Sequence, residues 1–153
     1  MQSPATEIEA VCRATRNVLR ALDDLTDEQS AAPSRLPGWT RAEVITHLAR
    51  NADGVRAMVE AAARNEVGAM YRSVEARAEG IAAGRAARAA VLRADLRGAH
   101  DRLVEAWHGL PPDCWDRVGR ASTSRTMREF VWTRRREVEV HHVDLDLGYE
   151  SSD

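Results

Sequence analysis

Four stretches of this chain repeat their apolar residues every three or four positions, and none shows a strong strand signal. A period of 3.6 is that of an α-helix with one buried face, so the chain must pack helices on helices. The first stretch runs from about Thr6 to Leu25, with Ile8, Val11, Cys12, Thr15, Leu19 and Leu22 as its stripe. The second opens on Thr40-Arg41-Ala42-Glu43, a capping box with Thr40 as N-cap and Glu43 three residues later. It predicts a helix to about Arg64 with Val44, Leu48, Val55 and Val59 inward. The third covers roughly Arg85 to Gly109, striped by Leu92, Leu96, Ala99, Leu103, Ala106 and Leu110, and Pro111-Pro112 stops it. The fourth starts near Thr123 or Ser124, both suitable caps. It carries Met127, Phe130, Val131, Arg134, Val138, His141 and Leu145 on one face, with Gly148 as its stop. Residues from about Asn65 to Gly84 are less periodic and read as a crossover holding a short helix. An all-α four-helix bundle follows, with a long crossover between helices 2 and 3 and one domain spanning residues 1–153.

Composition excludes several classes of function. A net charge of -2 leaves no basic excess to neutralise phosphates, so nucleic acid is not an expected partner. No apolar run approaches the ~20 residues of a membrane span, and Met1 to Ala5 lack a signal peptide's basic start. All 22 basic residues are arginine, which points to a GC-rich genome. The two cysteines, Cys12 and Cys114, stand far apart and form no CxxC pair, which fits a reduced cytoplasm.

Helical spacing also brings chemistry together. Glu137 and His141 are four residues apart and share a helix face, while His47 lies beside the inner stripe of the second helix. Two imidazoles and a carboxylate suit a divalent ion such as zinc, nickel, iron or manganese. Three protein ligands leave a position open for water or substrate, as catalytic sites do. The competing reading is a chance Glu–His pair on a solvated helix. Arg134, on the face of Glu137, is a candidate for binding a substrate carboxylate, against a surface arginine or an ion pair. Asn51, one turn after His47, is a candidate to orient His47 or a ligand, against a solvated amide. His142 points away from His141 and is expected in solvent; His100 and His108 read as surface or core-edge residues. The four tryptophans, Trp39, Trp107, Trp115 and Trp132, read as packing. Neither cysteine has a histidine near it in sequence to activate it.

Three stretches, in order, carry a resemblance. They are Leu36-Pro37-Gly38-Trp39-Thr40 running into His47-Leu48-Ala49-Arg50-Asn51-Ala52-Asp53, then Met70-Tyr71-Arg72-Ser73 with Glu75-Ala76-Arg77 and Ile81-Ala82-Ala83-Gly84, then Arg136-Glu137-Val138 leading to His141 and Val143-Asp144-Leu145-Asp146-Leu147-Gly148-Tyr149. Over about residues 30 to 150 the chain resembles the N-terminal domain of mycothiol-dependent maleylpyruvate isomerases, within the DinB-like superfamily of metal-binding four-helix bundles. The resemblance implies metal ligands at His47, Glu137 and His141, mycothiol as thiol cosubstrate and an actinobacterial cytoplasm. It also implies a metal-held thiolate that adds to an activated double bond, rotation of the adduct and elimination to the trans isomer. Related members transfer the thiol to a small electrophile instead. Family isomerases continue into a C-terminal domain that contributes an arginine for substrate, whereas this sequence ends at Asp153. Position 139 is Glu where the family pattern leads one to expect an apolar residue. The rival class is a non-catalytic metal-binding helical module that forms a homodimer or binds a partner domain.

Overall fold

The Thr40 capping box starts its helix where the sequence places it. In a computed structural model that describes residues 3–149, Thr40 Oγ1 accepts from the Glu43 amide and Glu43 Oε2 accepts from the Thr40 amide. Met1 and Gln2 of the N-terminal stretch, and Asp153 at the end of the sequence, lie outside the described residues. The described helices are α1 (Ala5–Ala21), α2 (Asp27–Ala31), α3 (Arg41–Ala63), α4 (Val74–Ala82), α5 (Ala89–Gly109) and α6 (Met127–Asp144). A 3-10 turn at Pro112–Cys114 and two short strands, β1 (Val118–Arg120) and β2 (Ser124–Thr126), separate α5 from α6.

Helices α1, α3, α5 and α6 form the bundle. Both α1 and α3 pack against α5 and α6, so the ring runs α1, α5, α3, α6 and the sequential helices α1 and α3 face each other diagonally. Their inward residues make one continuous core from Ile8 and Val11 through Ile45, Leu48 and Met58 to Leu103, Trp107, Phe130 and Leu145. Helix α3 is buried along most of its length because α2, α4 and β1 cover what α5 and α6 leave free. The crossover between the second and third bundle helices contains α4, as expected for a short helix there. It ends against α3: Arg85 donates to Glu43 Oε1, and a Cβ on Gly84 would stand 1.8 Å from Thr46 Oγ1. Only a residue without a side chain allows that approach.

Four boundaries differ from the sequence reading. Helix α1 ends at Ala21 rather than Leu25, because Thr26 starts α2 with its own capping box to Gln29. Helix α5 begins at Ala89, not Arg85. Helix α6 begins at Met127, not Thr123 or Ser124: Thr126 is the cap and Glu129 the reciprocal partner. The stretch before it, read as an irregular connection, is an antiparallel hairpin pairing Val118 with Thr126 and Arg120 with Ser124. The crossover adds to its edge, since Met70 donates to the Arg120 carbonyl and Arg120 to that of Gly68. At the far end α6 stops at Asp144, and the turn to positive φ is shared by Asp146 (53°) and Gly148 (82°). No helix is long and apolar enough to cross a membrane.

Candidate metal centre

Two bundle neighbours build the centre. Helix α3 presents His47 and α6 presents Glu137 and His141, whose four-residue spacing stacks them one turn apart. The Nε2 atoms of both histidines converge on one carboxylate oxygen: His47 Nε2 is 3.1 Å and His141 Nε2 3.3 Å from Glu137 Oε2. One ligand atom from each residue lies within 4.8 Å of the other two. The two imidazoles meet edge to face, with ring centres 4.7 Å apart. Trp39 packs edge-on against His47 from the other side, 5.7 Å between centroids. The loop bearing Trp39 is held by the end of α6, because Arg41 donates to the carbonyls of Leu145 and Asp146 and the Arg35 amide to that of Asp144.

Electrostatics sort the three groups. Hydrogen bonds from His141 and then His47 hold the Glu137 carboxyl far below the usual carboxylate range, outweighing burial. Burial pushes the His47 imidazole below its ordinary value, against the pull of Glu137. Burial also opposes charge on His141, but Glu137 and Asp144 together raise it. Asp144 Oδ2 stands 2.8 Å from His141 Nδ1 and turns the other ring nitrogen toward Glu137. A carboxylate behind a ligating imidazole is the usual device for fixing its tautomer and orientation. The donor set therefore fits a divalent ion: one ionised carboxylate, two converging Nε2 atoms and an outer carboxylate behind one of them. Asp144 was not singled out as a site residue in the sequence, although its position three residues after His141 places it on the same face.

Beside the centre opens a cleft of about 630 Å³. His47, Glu137 and Asn51 reach it from the bundle, Tyr71 and Arg77 from the crossover, Arg120 and Arg125 from the hairpin and Arg136 from α6. The four arginines come from three different elements, and no local pattern announces them.

Arg134 lies elsewhere than a substrate-facing or surface arginine would. It is 0% exposed and donates from Nη1 to the Leu48 carbonyl at 2.8 Å and to Asn51 Oδ1 at 2.9 Å. Its register with Met127, Phe130, Val131 and Val138 turns it into the core. Asn51 lines the cleft but gives its carbonyl to Arg134, while His47 Nδ1 is buried with no hydrogen-bond partner. His142, expected in solvent, is 4% exposed and stacks on Tyr149 with ring centres 3.8 Å apart. His100 is buried, His108 exposed. Trp107 and Trp115 pack in the core, but Trp132 is 55% exposed beneath the Arg136 guanidinium. Glu139 pairs with Arg135 on the outer surface of α6, and both cysteines are free.

Comparisons with known proteins agree with this fold. The family model described as the mycothiol maleylpyruvate isomerase N-terminal domain matches residues 11–146. A crystal structure of the mycothiol-dependent maleylpyruvate isomerase superposes with a TM-score of 0.88 at 30% identity, covering 95% of this chain. A histidine-to-alanine mutant of that enzyme superposes equally well, again at 30% identity and a TM-score of 0.88. The chain spans 63% of the length of each of those proteins. No curated protein sequence matches it. With a family match over most of its length and the bundle to go with it, the chain belongs to the mycothiol maleylpyruvate isomerase N-terminal domain family.

Proposed function

We propose that this chain is a divalent-metal-dependent enzyme domain that activates mycothiol for cis–trans isomerisation of, or S-transfer to, a small anionic electrophile. The observation that carries the reading is the convergence of His47 Nε2 and His141 Nε2 on the Glu137 carboxylate at the edge of an arginine-lined cleft. A bound divalent ion would supply Lewis acidity and bring a thiol's pKa down to give thiolate at neutral pH. Burial disfavours the charged form of His47, which suits an imidazole ligand, and hydrogen bonds from His141 and His47 favour the ionised form of Glu137. Asp144 holds His141 in the ligating orientation. Arg77, Arg120, Arg125 and Arg136 give the cleft a positive field that draws in carboxylates and fixes them in place. An electrophile so held presents its activated double bond to the thiolate. Addition leaves a single bond free to rotate, and elimination returns the thiol with the trans isomer. The same reading places the protein in a reducing cytoplasm, in keeping with free Cys12 and Cys114.

The test is metal analysis of the purified protein after reconstitution, beside His47→Ala and Glu137→Ala. One equivalent of divalent ion is expected in the wild type and far less in either variant. A wild-type protein that holds no stoichiometric metal refutes the central claim. Mycothiol titrated into the metal-loaded protein is expected to bind. Metal uptake without thiol binding would assign the chain to a non-catalytic metal-binding module instead.

A further inference from the structure

On the other side of the bundle ring, α1 and α5 leave a groove of about 520 Å³ between them. Arg16 and Arg20 line it from α1, Arg93 and Arg97 from α5, and in each pair the two arginines are four residues apart. Like charges at that spacing repel along a helix, so each pair disfavours its own helix, and here two such pairs confront each other. Asp23 and Asp101 are the acidic members of the wall. Asp23 is taken by Arg93, which also donates to the Leu19 carbonyl. The side chains of Arg16, Arg20 and Arg97 make no hydrogen bond or ion pair with any other described residue, whereas half of the 22 arginines of this chain pair with carboxylates.

The His100 imidazole also lines the groove. It is 6% exposed, and its Nδ1 has no hydrogen-bond partner among the described residues. A buried polar atom left unpaired is costly, and it is commonly satisfied by a ligand or water. Cys12, Leu19 and Val104 supply an apolar wall beside it. The geometry points to a second binding site in the α1–α5 groove, one that takes a small dianion, a dicarboxylate or a phosphate, between the facing arginines with a polar group against His100. The site lies across the bundle from Glu137, so its occupant is a ligand distinct from whatever reacts at the metal centre. Anions also suit the arginines of the other cleft, so the test needs a local reporter. Cys12 is one, being half-buried in the groove wall while Cys114 is buried in the core.

The rate at which iodoacetamide alkylates Cys12 is measured by peptide mass spectrometry on the whole chain, at ionic strength held constant with sodium chloride. Inorganic phosphate and succinate are the probes. At ten times the dissociation constant, about 10 mM for a ~1 mM site, the unliganded fraction falls to roughly one eleventh and alkylation slows about tenfold. Protection by phosphate alone assigns a phosphate ligand, by succinate alone a dicarboxylate, and by both the shared dianion class. Arg16→Gln/Arg97→Gln, at two exposed positions, is expected to keep the wild-type circular dichroism and lose the protection; Arg97→Gln alone is expected to weaken it. An unchanged Cys12 rate with both probes overturns the proposal. So does equal protection by chloride alone, or protection that survives in the double variant.

Discussion

At the scale of single residues, burial decides what a charge or a ring can do. Arg134 is the clearest case: desolvation brings its guanidinium down to about 10, and Nε and Nη2 find no partner in the core. Truncation at this position should therefore be read against an apolar isostere. Arg134→Ala leaves the Leu48 carbonyl and Asn51 Oδ1 without their donor and opens a cavity, a loss of about 3–4 kcal/mol in urea unfolding. Arg134→Met fills the space without a charge to desolvate and should cost less than about 2 kcal/mol. Equal losses in the two variants would show that the lost hydrogen bonds rather than the lost volume govern the site. His100 gives a pH signature. Burial, then Arg134 and Arg16, bring its imidazole down to about 4, while in the unfolded chain it titrates near 6.5. Between those values the unfolded state binds the extra proton, so stability is complete above pH 6.5 and falls as the pH drops toward 4. At pH 5 the loss from this residue is about 2 kcal/mol. The difference in unfolding free energy between pH 7 and pH 5 should shrink by that amount in His100→Leu.

At the scale of elements, starts and stops come from local chemistry that the sequence shows, though several signals compete. Thr123, Ser124 and Thr126 all suit the N-cap of α6, and only Thr126 has a Glu three residues on. Thr126→Ala should cost about 1 kcal/mol, whereas Thr123→Ala and Ser124→Ala should stay within about 0.5 kcal/mol by chemical denaturation. The hairpin before α6 escapes a sequence reading because its strands are three residues each, too short for alternation to register. It forms because the crossover extends it and α3 packs on β1. Gly84 shows the converse, a glycine whose need is set by a distant residue. Gly84→Ala should destabilise by about 1–3 kcal/mol through its overlap with Thr46. Adding Thr46→Ala should recover part of that loss, a coupling that independent sites would not show.

At the scale of the molecule, the centre joins α3 to α6, so a bound ion would act as a clasp between two bundle helices. At metal a thousandfold above its dissociation constant the clasp contributes about 4 kcal/mol. A chelator should lower the melting temperature of the metal-loaded wild type by several degrees and leave His47→Ala unmoved; equal shifts in both would place the ion elsewhere. The sequence by itself determined the helices, the facing of Glu137 and His141, the inward turn of His47 and the crossover, because helical period and caps depend on neighbours within four residues. Periodicity puts Arg134 on the inner face of α6 but does not say what it meets there, which is the Leu48 carbonyl and the Asn51 amide. Only tertiary structure decided that Asn51 would serve Arg134, that His142 would be covered by Tyr149, and that arginines from the crossover, the hairpin and α6 would share one cleft with His47. Those contacts reach beyond a single helical turn, from seven positions for His142 and Tyr149 to more than eighty for Asn51 and Arg134, and their energies depend on packing and desolvation that no local pattern encodes.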